Sequence, residues 1–139
     1  MSNAKELLDV SSELRINTSL LSLDDSKDYL SKVIQKFKPE KKTGHLSIGG
    51  DSIVIPLEDN EFVYSANLVD EPLFVFFDQE GLDRKKVVCI FEGKKLCNIL
   101  ENAYGMEYFI SNERMDYLIA VNWYVIEGVG DAKKWLKGN

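Results

Sequence analysis

Five short apolar runs dominate the second half of the chain, and the spacing between them decides the fold class. They are residues 73–77 (LFVFF), 86–91 (KVVCIF), 108–110 (YFI), 117–121 (YLIAV) and 124–129 (YVIEGV). Each is too short for a helix and rich in the β-branched and aromatic residues that suit a pleated surface. Residues 78–85 join the first two runs, and only Asn122 and Trp123 separate the last two. A parallel pair needs a crossover of about a dozen residues, so connections this short call for antiparallel neighbours. The expected fold is α+β: one domain over residues 1–139, mostly antiparallel sheet, a meander in the C-terminal third, and about four helices packed on it. A chain of 139 residues with 45% hydrophobic and 29% charged residues has the size and composition of one folded domain rather than of a disordered segment.

The helices cluster at the start, over residues 4–38, before a strand-rich remainder over 46–139. Leu7, Leu8 and Leu14 give residues 4–14 an apolar face. Ser22 or Asp24 can cap a second helix, in which Leu30, Val33, Ile34 and Phe37 form one stripe before Pro39 ends it. Residues 39–44 (PEKKTG) read as a charged connector. Residues 46–57 predict a hairpin turning at Gly49-Gly50, and residues 61–69 fit a strand or a loop. Leu96, Ile99, Leu100 and Ala103 predict a helix over 92–104, with Gly105 as its left-handed terminator. A last short helix follows at 132–136.

Charge is distributed unevenly. Residues 46–83 carry nine acids and no Lys, Arg or His: Asp51, Glu58, Asp59, Glu61, Asp70, Glu71, Asp78, Glu80 and Asp83. The whole chain has a net charge of −6, so everything outside this stretch sums to +3. The bases gather around the second helix (Lys27, Lys32, Lys36, Lys38, Lys41, Lys42) and at Arg84, Lys85 and Lys86. Acidic loops keep strand edges apart and a small protein dispersed. If they converge in space they also make a negative surface that steers a cationic partner, and these nine residues are the expected contact set. A net negative chain repels phosphate, so nucleic acid is not an expected partner. No apolar run approaches the ~18 residues of a membrane span, and the first thirty residues lack the apolar core of a signal peptide. The expected location is the cytoplasm, with no membrane partner.

Little points to catalysis. Cys89 and Cys97, eight residues apart, match neither a redox pair nor a zinc knuckle and read as buried thiols. His45, the single histidine, reads as a surface or strand-edge residue, with a general base as the alternative. The glycines at 49–50 and at 128 and 130 suit turns better than phosphate loops. No cofactor, metal or enzymatic activity is expected. Trp123 and Tyr124 are expected to close the core, although these residue types are also enriched at binding hot spots. Trp135 reads as a core anchor.

The C-terminal pattern carries a resemblance. The run Tyr108-Phe109-Ile110-Ser111, the stretch of residues 117–130 and Trp135-Leu136 resemble small bacterial immunity proteins of polymorphic-toxin and contact-dependent growth inhibition systems, over about thirty residues. The resemblance implies a stoichiometric inhibitor that binds one cognate toxin, often a basic nuclease, and occludes its active site. Such proteins share no catalytic motif, so no residue roles carry over. Two other functions remain open: a regulatory or scaffold domain with a non-basic partner, and an enzyme acting on a small molecule.

Overall fold

The computed structural model describes residues 1–136. Four helices, α1 (Asn3–Leu14), α2 (Leu23–Phe37), α3 (Leu96–Glu101) and α4 (Ala132–Leu136), accompany seven strands. The strands are β1 (Thr18–Leu20), β2 (Ile53–Pro56), β3 (Leu73–Phe76), β4 (Val87–Ile90), β5 (Tyr108–Ser111), β6 (Tyr117–Val121) and β7 (Val125–Gly130). They form one sheet in the order β1-β4-β3-β5-β6-β7-β2, with every neighbouring pair antiparallel. The fold is α+β, and β5, β6 and β7 are the expected meander.

Both faces of this sheet are covered. Val75, Val88, Ile110, Ile119 and Ile126 face a core shared with α1, α3 and α4. Phe76, Val87, Phe109, Leu118 and Ala120 face Tyr29, Leu30 and Val33 of α2, together with Leu46 and Ile48. An antiparallel sheet commonly leaves one face wet and alternates apolar with polar residues. Over the central strands neither face is wet, so β4, β5 and β6 are buried at every position. Each large apolar side chain buried this way contributes about 1.5–3 kcal/mol. That burial fixes α2, since an isolated helix of its 15 residues would be marginal in water.

The caps follow the sequence. Ser22, rather than Asp24, caps α2 by accepting the Asp25 N–H, and Lys38 closes the helix in the left-handed region at φ 45° before Pro39. Three expectations are corrected. The Gly49-Gly50 turn exists, with φ of 78° and 59°, but its flanks do not pair with each other. Residues 46–48 instead fold back on the connector, where Lys41 and Ser47 exchange backbone hydrogen bonds, while β2 pairs with β7. The predicted helix over 92–104 shrinks to a 3-10 turn at Gly93–Lys95 followed by α3. Of the two readings for residues 61–69, strand or loop, the loop holds, with a 3-10 turn at Tyr64–Asn67. Gly105 is not left-handed. What it needs is space, because a Cβ there would lie 2.9 Å from the Trp123 ring. The edge strand β1 had no sequence signal: it is three residues long and largely exposed.

Candidate functional site

Register fixes which loops share an end of the sheet. β1, β2, β3 and β6 finish at what we term the lower end, where β4, β5 and β7 begin. The β6–β7 turn there is built by Asn122. Its buried side chain accepts the Tyr124 and Val125 N–H groups at 2.8 and 3.0 Å and donates to the Leu46 carbonyl at 3.0 Å. A turn anchored on both sides pushes its two aromatic residues outward. Trp123 is 49% exposed and Tyr124 67%, so the expectation that they close the core is wrong. Trp135, by contrast, packs against the core, edge-on to Tyr117 at 4.9 Å.

Two further elements adjoin the turn. The Leu57 N–H donates to the Tyr124 carbonyl at 3.0 Å, which places the following acidic loop beside the aromatic pair. That loop is tight: the Asn60 and Glu61 N–H groups both return to the Leu57 carbonyl, and Asp59 takes a left-handed φ of 70°, which aspartate tolerates better than most residues. It presents Glu58 and Asp59 exposed and Glu61 half-buried, with Phe62 and Val63 also exposed. On the other side the His45 ring packs edge-on against Tyr124 at 5.3 Å. Its Nδ1 lies 2.8 Å from a carboxylate oxygen of Glu107, whose second oxygen accepts the Leu46 N–H. Of the two readings for His45, surface or strand edge, the surface one holds: it is exposed, in a bend.

The nine acids do not all meet. Glu58, Asp59, Glu61, Asp78, Glu80 and Asp83 lie toward the lower end, on two different connections, whereas Asp51, Asp70 and Glu71 precede strands that start at the upper end. Four are occupied by internal contacts. Asp51 pairs with Lys133 at 2.8 Å, and that hydrogen bond and charge hold its carboxyl below the usual range. Glu71 accepts from Asn112 and sits 3.5 Å from Arg114. Burial would raise the Asp78 carboxyl, but hydrogen bonds from the Glu80 N–H, Thr43 and the Gly44 N–H outweigh it and hold it low. Asp83 is buried against the start of α1. Burial opposes its charge, yet Ser2, the Ala4 N–H and Lys86 keep it ionised and its pKa low. Glu58, Asp59, Glu61, Asp70 and Glu80 have no ion pair among the described residues.

The residues that shape this end were not singled out by sequence reasoning. Gly44, Leu46, Ile48 and Gly49 form a strap across the α2 side, and each is gripped by a polar side chain of the sheet or its turns. Glu127 is the deepest of these grips: it is 5% exposed and accepts the Ile48 and Gly49 N–H groups, both at 2.8 Å, and the Ser52 hydroxyl at 2.5 Å. Burial pushes its pKa up, and these donors more than reverse that. A lone glutamate inside the apolar run 124–129 was the available signal. Both cysteines are buried free thiols, as expected, and burial raises both.

Among the described residues no group of three His, Cys, Asp or Glu side chains is placed to hold a metal ion, and no helix is long and apolar enough to cross a membrane. No family model, curated protein or solved structure matches the chain. The lower end offers unpaired carboxylates beside two exposed aromatic rings on a turn fixed by Asn122. Carboxylates accept from lysine and arginine, and aromatic faces attract the same cations while contributing large contact area.

Proposed function

We propose that this protein is a binding module that takes a basic protein partner on its lower end and neutralises it by stoichiometric occlusion, in the manner of a bacterial immunity protein facing a toxin nuclease. One observation carries the reading: the unpaired Glu58, Asp59 and Glu61 share a surface with the outward-turned Trp123 and Tyr124. A nuclease site must be cationic to hold phosphate, so carboxylates on a fixed loop can stand in for the nucleic-acid backbone. Long-range attraction then sets the encounter rate, up to about 10⁸ M⁻¹s⁻¹ at low salt, and the aromatics set how slowly the complex parts. Asp70 and Glu80 add to the field. Asp51, Glu71, Asp78 and Asp83 are already engaged and contribute least.

The test is co-purification from the native host, followed by stopped-flow association with the captured protein. A basic partner whose capture slows at least about tenfold when Glu58, Asp59 and Glu61 are all replaced by Lys supports the reading. An acidic or neutral partner, or an unchanged on-rate, refutes it and leaves the regulatory or scaffold role.

A further inference from the structure

From the upper end, a groove runs along the α2 side of the sheet toward Leu21, which follows β1. Its first part, about 320 Å³, lies over Phe74, Cys89 and Phe91 beneath Asn112, Glu113 and Arg114. Its second part, about 470 Å³, continues from Phe74 and Glu113 along the flank of α2 past Asp25, Tyr29 and Met115. The helix covers Phe76, Val87 and Phe109 and reaches Phe74 only through Tyr29, whose ring meets it edge-on at 4.8 Å, leaving Phe74 half-buried and Phe91 43% exposed. The Tyr29 hydroxyl donates to the Asn112 carbonyl at 2.8 Å, which holds the two walls at a fixed separation. The floor is therefore apolar, aromatic and preformed.

Its rim is negative. Arg114 is held by Glu71 and Asp116, and Lys32 by Asp28. Glu113 and Asp25 have no ion pair among the described residues. Glu113 stands close enough to the floor that its charge adds to burial in keeping the Cys89 thiol protonated. Carboxylates without an ion pair over a partly open aromatic floor complement a group that is apolar and cationic at once. The two parts join at Phe74 into a track that a single small amine would only half fill.

We propose that this groove docks an extended peptide segment of a protein partner, with an aromatic or branched aliphatic anchor on Phe74 and Phe91 and a neighbouring lysine or arginine against Glu113 and Asp25. The proposal does not rest on the lower-end reading, because neither the acidic loop at Glu58, Asp59 and Glu61 nor the Trp123 turn lines the groove. It is tested by selecting a random displayed peptide library on the intact protein and mapping the enriched peptides by amide chemical shifts. The expected peptides pair a bulky apolar residue with a base and shift Phe74, Cys89, Phe91 and Glu113. They bind an Asp25→Lys, Glu113→Lys double variant at least about tenfold more weakly, and bind a Trp123→Ser, Tyr124→Ser variant as tightly as the parent. Both pairs are exposed, so folding is checked simply by an unchanged unfolding midpoint. Peptides without a basic residue, shifts confined to the Trp123 turn, affinity untouched by the double reversal, or no enrichment would each overturn the proposal.

Discussion

Replacing Glu127 by Ala should be among the costliest single changes in this protein that remove no apolar packing. The carboxylate satisfies three donors: the Ile48 and Gly49 N–H groups and the Ser52 hydroxyl. Ile48 is buried, so its N–H would be left with no partner, at about 1–3 kcal/mol. Gly49 and Ser52 are half-buried and can turn partly to water, so each adds about 0.5–1 kcal/mol. The expected loss is about 2–5 kcal/mol, a large share of the 5–15 kcal/mol typical of a domain. Urea unfolding at neutral pH reads it as a midpoint lowered by about 1–2 M at an ordinary slope. Glu127→Gln keeps the volume and one acceptor and should recover about half of the loss. The pKa of Glu127 is lower folded than unfolded, so its stabilisation is complete above the ordinary glutamate value near 4.3 and fades as pH falls through the lower folded value. Asp78 and Asp83 are lowered too and fade in the same direction, so the parent should weaken in acid more steeply than the Glu127→Gln variant. A Glu127→Ala loss below about 1 kcal/mol would show that the strap is held by Leu46 and Ile48 packing, and the reasoning would fail.

Three smaller predictions use the same logic. The buried Tyr64 and Tyr108 hydroxyls share a hydrogen bond of 2.6 Å, whereas the buried Tyr117 hydroxyl has no partner among the described residues. Tyr64→Phe should therefore cost about 0.5–1.5 kcal/mol while Tyr117→Phe is neutral or stabilising, as thermal unfolding of the two variants would show. Gly105→Ala drives a Cβ into the Trp123 ring; because that ring is half-exposed it can swing away, so tryptophan emission should shift while stability falls by less than about 1 kcal/mol. Asn122→Ala removes three hydrogen bonds from the β6–β7 turn, and we expect a loss of about 1–3 kcal/mol in chemical denaturation with a matching change in Trp123 emission.

Burial on both faces explains which parts of the fold were legible. Residues 73–77 and 86–91 read as strands because a doubly covered strand must be apolar at every position. The α2 stripe was legible because that helix has one wet side. The strap was not, because its order comes from Glu107, Asn122 and Glu127, side chains far away in sequence that grip its backbone. At the lower end, Glu58, Asp59 and Glu61 were visible as charge, but Trp123 misled. Tryptophan burial is the safe expectation from composition, and only the anchoring of Asn122 to Leu46 turns the ring outward. Asp83 misled in the other direction: an acid in a loop gives no hint that it will be buried beneath a helix start.

The strap has a consequence for the order of assembly. Its grips span 61 to 79 residues of sequence at Leu46, Ile48 and Gly49, and every gripping side chain belongs to β7 or to a residue flanking β5 or β6. Its short backbone bonds to the connector and the Asp78 contact to Gly44 can form without the meander, but these long-range grips cannot, so the strap closes late in folding and detaches early when the protein opens.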